Sequence, residues 1–114
     1  MSVIPIRNPK INPVIYTAIE QRHLVRFLFK DKERIVEPHD YGIHGGVVKL
    51  FGFQTGGVSS QPLPNWRWFE ISQVSNLEML GQTFPGGRAT KTGKHHNWDQ
   101  LFIRVKKADS QRRQ

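Results

Sequence analysis

Five histidines give this chain its broadest chemical repertoire, because imidazole binds metals and exchanges protons near neutral pH. Two groups are close in sequence: His39 with His44, and His95-His96 with Asp99. Each group offers two or three ligands, whereas a stable metal site needs three or four that converge. Adjacent histidines on a strand also point to opposite faces. We therefore expect neither a metal site nor another cofactor.

The sequence also lacks the arrangements that activate a nucleophile. The chain has no cysteine, and none of its serines lies in a Gly-x-Ser-x-Gly turn. Gly93-Lys94 departs from the phosphate-binding loop pattern, because Arg88 stands where that pattern has its first glycine. We expect a protein that is not an enzyme.

Positive charge points to a binding partner. The net charge is +8, and residues 85–114 supply +6 of it through eight basic and two acidic side chains. Such a segment attracts phosphates, acidic proteins or anionic surfaces, and a merely solvated tail is the alternative. The expected nucleic-acid anchor consists of Arg104, Lys106, Lys107, Arg112 and Arg113.

Two tryptophans are placed to add stacking to this charge. Trp66 and Trp68 are two residues apart, so they face one side of a strand and Arg67 faces the other. An exposed Trp68 beside cations would stack on a base. The alternative is that Trp68 packs beneath the Gly-rich loop or the C-terminal extension, since aromatic side chains mostly gain from burial.

A short helix and a hairpin are predicted to begin the fold. Asn12 is a good N-cap, and Pro13 suits the first helical position. Alternating apolar residues then predict strands 24–29 and 34–37, the second of which stops at Pro38. The helix is expected to pack on the sheet through Val14, Ile15, Ala18 and Ile19.

Later strands complete the predicted fold class. They fall at 47–54 and 66–72, and the apolar patch 101–103 with Val105 would add a closing strand. Gly52 indicates a bulge or sharp bend, which small barrels need at their corners. We predict a mainly β protein with an N-terminal α-helix, built as a small, partly open antiparallel β-barrel.

Several segments follow one another in an order that resembles the WYL domain, an SH3-like or Sm-like β-barrel preceded by a helix. The resemblance covers about residues 13–84 and rests on Ala18-Ile19-Glu20-Gln21-Arg22, Val25-Arg26-Phe27, Arg34-Ile35-Val36-Glu37-Pro38, Val48-Lys49-Leu50-Phe51-Gly52-Phe53 and Trp66-Arg67-Trp68-Phe69-Glu70-Ile71. WYL domains occur in bacterial and phage-related proteins. The resemblance therefore implies a regulatory sensor or nucleic-acid-binding module with a basic pocket on the sheet.

The chain departs from the family pattern in two segments. The Trp-Tyr-Leu signature reads Val48-Lys49-Leu50, and the Phe-Arg-Leu-Asp-Arg segment reads Phe69-Glu70-Ile71-Ser72-Gln73, without either arginine. Arg34 matches a family arginine, and Lys49 brings a cation to the position of the family tyrosine. The expected ligand-binding residues are Arg34, His39, Lys49, Arg67 and Trp68.

These features together predict an organisation and a function. We expect an N-terminal arm (1–12), a WYL-like domain (13–84) and a basic C-terminal extension (85–114). The absence of a signal peptide and of a long apolar run predicts a cytoplasmic protein with no membrane partner.

The favoured function is a stand-alone regulatory or sensor module that binds an anionic ligand, either nucleic acid or a nucleotide. The alternatives are a protein–protein adaptor without a nucleic-acid ligand and a phage-type inhibitor or sponge of a signalling nucleotide. A homodimer or a larger regulatory protein partner is left open.

Overall fold

The fold consists of one helix and six strands in a computed structural model that describes residues 11–89 and 95–108. The helix is α1 (Pro13–Gln21), and the strands are β1 (His23–Phe29), β2 (Lys32–His44), β3 (Val47–Gly57), β4 (Asn65–Glu70), β5 (Val74–Thr83) and β6 (Gln100–Arg104). Most of the predicted N-terminal arm, and the anchor residues Arg112 and Arg113, lie outside the described residues.

Helix α1 begins where the sequence predicts. The Asn12 side-chain oxygen accepts hydrogen bonds from the backbone N–H groups of Val14 and Ile15 at 2.8 and 3.4 Å. Ile15, Ala18 and Ile19 are buried. The prediction that Val14 packs on the sheet is wrong, because Val14 lies in the first turn at the margin of the apolar stripe and is 36% exposed.

The strands form an antiparallel sheet in the order β4-β3-β2-β1-β5, and β6 pairs with the far end of β2. Within the part of the chain that is described, β4 and β5 form the two ends of this path and do not pair with each other. A 3-10 turn, Ile71–Gln73, joins them, so the predicted fourth strand ends at Glu70 rather than at residue 72. The sheet is therefore not closed, and the expected mainly β, partly open barrel is confirmed.

Strand β2 runs past Pro38, contrary to prediction. Pro38 pairs with Gly52 of β3, and the register shifts between Pro38 and Asp40. Proline is tolerated at such a bulge because a ladder hydrogen bond is already missing there. A Cβ atom on Gly52 would lie 2.5 Å from a Val36 methyl group, so glycine is needed for this close approach.

The bulge lets one edge of β2 pair with two strands in succession, while its other edge pairs with β3. Residues Arg34 and Val36 in its first half pair with β1, whereas residues Asp40 to Ile43 pair with β6. The closing strand predicted from the apolar patch near residue 102 is thereby confirmed as β6. Val105, just after β6, joins the buried core.

The core lies between α1 and the inner face of the sheet. Its largest fully buried side chains include Phe27, Tyr41, Leu50 and Phe69. Phe69 contacts the rings of Phe27 and Phe29 edge-on at 4.9 and 5.2 Å. The described residues include no helix with the length and apolar character needed to cross a bilayer.

Candidate ligand-binding cleft

Alternation along β3 and β4 sorts the candidate residues onto two faces of the sheet. Leu50 and Gln54 of β3 and Phe69 of β4 are fully buried on the inner face. The intervening residues of β3 and β4 therefore point to the outer face. The outward-pointing side chains are Lys49, Phe51, Phe53, Trp66 and Trp68.

Stacked rings cover the outer face. Phe51 and Trp66 lie parallel with ring centroids 4.9 Å apart, and Trp68 contacts Phe51 at 4.8 Å. His96 and Trp98 lie against Trp68 at 4.8 and 5.4 Å. Trp68 is therefore half-buried beneath residues of the C-terminal extension. This agrees with the alternative in which Trp68 packs under that extension. We call Phe51, Trp66, Trp68 and His96 the aromatic face.

A cleft of about 530 Å³ opens beside this aromatic face. Phe51 and Trp66 contribute its aromatic rings, and the other lining residues come from the middle of β2 and from segments 87–89, 95–96 and 104–108. Cationic and imidazole groups converge on the cleft from three separate parts of the chain. They are His39, Arg88, His95, His96, Arg104 and Lys107.

Two buried carboxylates on β2 hold the arginines of the cleft. Glu37 accepts from Arg88 Nε at 2.6 Å and Nη2 at 3.0 Å, and Asp40 accepts from Arg104 Nε and Nη2 at 3.0 and 3.3 Å. The carboxylate side chains are only 7% and 5% exposed, whereas the arginines are 47% and 31% exposed. This side-on pairing fixes each guanidinium and leaves its Nη1 group for another acceptor.

His39 lies buried at the base of the cleft. Its Nδ1 is 2.8 Å from the Glu37 carbonyl oxygen, and its Nε2 accepts from the Arg88 backbone N–H at 3.1 Å. These partners assign the proton to Nδ1. Burial lowers the pKa of His39, and this outweighs the opposite effects of its bond to Glu37 and of the Glu37 and Asp40 charges. The imidazole therefore acts as a neutral link between β2 and the Arg88 segment.

The structure brings most of the predicted site residues to this side of the sheet. His39, Arg104 and Lys107 line the cleft. Lys49 lies next to it, with its Nζ 5.5 Å from the Trp68 ring centroid and 3.5 Å from His44 Nδ1. Lys106 is exposed on the same C-terminal segment.

Arg34 and Arg67 are separated from this group. Arg34 is 6% exposed on the inner side of β2, where its guanidinium lies 5.5 Å from the Phe29 ring centroid. Arg67 points to the same side of β4, and its Nη1 donates to Ser59 Oγ at 3.3 Å. The five predicted ligand-binding residues thus belong to two places rather than to one pocket.

Arg88 and the aromatic pair Phe51–Trp66 are the site residues that the sequence analysis did not assign. Arg88 has no local signal, because its partner Glu37 lies 51 positions away along the chain. Trp66 was recognised only as a neighbour of Trp68 on one face. In residues 11–89 and 95–108, no three His, Asp or Glu side chains are grouped so as to hold a metal ion.

Comparisons with known proteins give no assignment: no protein family, no curated protein and no solved structure matches this chain.

Proposed function

We propose that this protein binds a ligand that joins an aromatic base to phosphate, either a nucleotide or a single-stranded nucleic acid. The observation that carries the proposal is the cleft, where the parallel rings of Phe51 and Trp66 lie beside the fixed guanidinium groups of Arg88 and Arg104. Stacking platforms next to cations are the usual means of holding single-stranded bases.

The charge arrangement favours an anionic ligand. Glu37 and Asp40 balance the formal charges of Arg88 and Arg104, but these carboxylates lie buried beneath the partly exposed arginines. Asp40 lines the cleft together with Arg88 and Arg104, whereas Glu37 does not, so a ligand meets two guanidinium groups and one carboxylate. Lys107 lines the same cleft and adds a further positive charge.

The dimensions of the cleft also suit this class of ligand. A volume of about 530 Å³ lies within the range of small-molecule sites, about 300–1,000 Å³. Its walls combine apolar rings with a few polar groups, the composition expected where a planar base is held by stacking and a phosphate by charge.

The resemblance to WYL domains supports a regulatory role for this binding. We propose that the chain is a WYL-like sensor module, in which ligand in the cleft changes how the C-terminal segment lies on the sheet. That segment supplies His96, Arg104 and Lys107, so an occupant of the cleft would touch both the sheet and the segment.

Fluorescence anisotropy with labelled single-stranded oligonucleotides, and competition by nucleotides, tests the proposal at 50 and 200 mM salt. We expect binding that weakens steeply with salt, because counterions are released from the phosphates. Lys107→Gln and His96→Ala should each weaken it. Lys32→Gln removes the same charge as Lys107→Gln. Lys32 lies at the start of β2 and does not line the cleft, so this variant should change the binding little.

The outcomes separate the proposed function from the adaptor alternative. Failure to bind any oligonucleotide or nucleotide at 50 mM salt would overturn the proposal. Binding that Lys32→Gln and Lys107→Gln weaken equally would also overturn it, since the charge of the whole chain, and not the cleft, would then account for the binding.

A further inference from the structure

Asp40 is the only acidic side chain among the described residues that line the cleft. Its side chain is 5% exposed, and it lies between Phe51, its cross-strand partner on β3, and Arg104, its cross-strand partner on β6. Cross-strand neighbours on one face are about 5 Å apart. The carboxylate therefore has a ring of the aromatic face on one side and a guanidinium group on the other.

Asp40 keeps acceptor capacity after it has paired with Arg104. Its Oδ1 accepts from Arg104 Nε at 3.0 Å, and its Oδ2 accepts from Arg104 Nη2 at 3.3 Å. A carboxylate has about four lone-pair sites, so each oxygen can accept one more hydrogen bond. Arg104 uses only two of its three nitrogens towards Asp40, and its Nη1 can donate to another acceptor. The pair thus offers two acceptor positions next to a donor position.

Guanine is the common base whose Watson–Crick edge complements this pattern. It carries two adjacent donors, N1–H and the 2-amino group, with the acceptor O6 beside them. Adenine and cytosine place an unprotonated ring nitrogen where the second donor is needed, and that lone pair would face the carboxylate. Uracil and thymine have a single N–H between two carbonyl oxygens. These bases therefore satisfy Asp40 less well than guanine does.

We propose that Asp40 and Arg104 make the cleft selective for guanine, either in a free nucleotide or in a single strand. This inference rests on the function proposed for the cleft and names the base that the cleft takes. Asp40 accepts from N1–H and the 2-amino group, and Arg104 donates to O6, while Arg88 and Lys107 are left to bind the phosphate. A buried carboxylate that gains no donor from its ligand stays unsatisfied, which penalises the other bases.

Isothermal titration calorimetry with nucleoside 5′-monophosphates at low salt tests the selectivity on the unaltered protein. GMP should bind most tightly. Inosine monophosphate keeps N1–H and O6 but lacks the 2-amino group, so it should bind about tenfold more weakly or worse, the cost of one hydrogen bond to a charged group. AMP should bind more weakly still, because the lone pair on its N1 faces Asp40.

Asp40→Asn and Glu37→Gln form a matched pair of variants. Each removes one buried carboxylate charge from an arginine, but Glu37 does not line the cleft. Asp40→Asn replaces an acceptor oxygen with an amino group, so GMP and AMP should bind it with nearly equal affinity. Glu37→Gln should change both affinities by the same factor and keep their ratio. Circular dichroism checks that each variant is folded, and the nucleotide series on the unaltered protein decides the proposal if Asp40→Asn is not.

The outcomes separate this proposal from the function on which it rests. Equal affinities for GMP, inosine monophosphate and AMP would reject guanine selectivity while the function of the cleft stands. Failure to bind any nucleotide or oligonucleotide would reject both. A preference for GMP that survives in folded Asp40→Asn would overturn the role of Asp40.

An oligothymidine with one central guanine identifies the source of the base. It should bind more tightly than the same strand with adenine at that position, and equal binding of the two strands would count against guanine selectivity. Tighter binding of the guanine strand than of GMP makes a single strand the ligand, and weaker binding makes it a free nucleotide.

Discussion

Glu37 and Asp40 hold the cationic side of the cleft in place. A buried carboxylate that lost its arginine would be a costly unpaired charge, so each pair resists rearrangement. The arginines therefore meet a ligand already oriented, which lowers the entropic cost of binding. His39 adds to this, because its ring bonds both the Glu37 carbonyl and the Arg88 backbone.

Replacing Glu37 with glutamine should have opposite effects on stability and on ligand affinity. The charge-assisted bonds to Arg88 would weaken, which should lower the free energy of unfolding by roughly 1–3 kcal/mol. The arginine would lose its counter-charge, so an anionic ligand should bind more tightly. Urea unfolding and anisotropy titrations measure the two effects, and an affinity equal to that of the parent chain in the folded variant would contradict the proposed part of Arg88 in binding.

His39 predicts an acid-side loss of stability. Its pKa is lowered in the folded state from the ordinary value of about 6.5, so the unfolded chain binds more protons just below that pH. The free energy of unfolding should therefore fall as the pH drops below about 6.5, and the contribution of His39 should be constant above it. Urea unfolding at pH 7.5 and 5.5 measures this change.

The control for this prediction is His39→Gln, whose amide does not titrate. Its stability should depend less on pH between 7.5 and 5.5 than that of the parent chain. An equal pH dependence in both proteins would assign the effect to other groups.

At the scale of elements, the bulged strand β2 and its partner β6 bring the C-terminal segment over the sheet. Gly42 makes the pairing possible, because a Cβ atom there would collide with the Gln100 carbonyl oxygen and lie 3.0 Å from the Leu101 Cα. The same pairing places Trp98 and His96 against Trp68. The pairing of β6 with β2 thus determines whether the aromatic face is covered.

Gly42→Val should detach β6 while the rest of the sheet stays folded. The added side chain meets backbone, which cannot move aside as the end of a flexible side chain can. Amide hydrogen exchange should accelerate at residues 101–104, and tryptophan fluorescence should shift towards the red as Trp68 becomes exposed. Ala108→Val, at an exposed position of the same segment, is the control; unchanged exchange in Gly42→Val would show that β6 does not depend on this contact.

For the whole molecule, the distribution of charge matters more than its total. The sequence suggested a basic extension separate from the barrel, but Arg88, Arg104 and Lys107 of that extension line the cleft. Charge that attracts a polyanion from a distance therefore lies next to the groups proposed to hold it. Electrostatic attraction of this kind weakens as salt screens the charges.

Lys106→Gln combined with Lys107→Gln should reduce the salt dependence of oligonucleotide binding. The slope of log affinity against log salt should become shallower by up to about 1.4, the value for two phosphate contacts on a single strand. The matched pair Lys30→Gln and Lys32→Gln removes the same charge from the β1–β2 hairpin and should leave the slope nearly unchanged. Anisotropy titrations at four salt concentrations measure both slopes, and equal slopes would show that no local contact is made.

Local patterns in the sequence determined the elements of this fold. The Asn12 cap, the alternation in β1 and the apolar patch of β6 act between residues close along the chain, so propensity and period reveal them. The inner and outer faces of β3 and β4 also follow from alternation alone. Alternation did not predict the strand limits near Pro38 and Glu70. The bulge at Pro38 depends on the neighbouring strand β3, and the 3-10 turn after Glu70 depends on the connection to β5.

Only the tertiary structure decided which residues form the candidate sites. Arg88 meets Glu37 across 51 positions and Arg104 meets Asp40 across 64, and no local pattern encodes such pairs. Alternation separates Arg67 from Trp68 on β4, but it does not say which face of the sheet packs on the core. The structure places Arg34 and Arg67, which the family resemblance grouped with Lys49 and Trp68, on the inner side. The bend of β2 and the docking of β6 then set which of these faces is covered, and both depend on packing between distant segments.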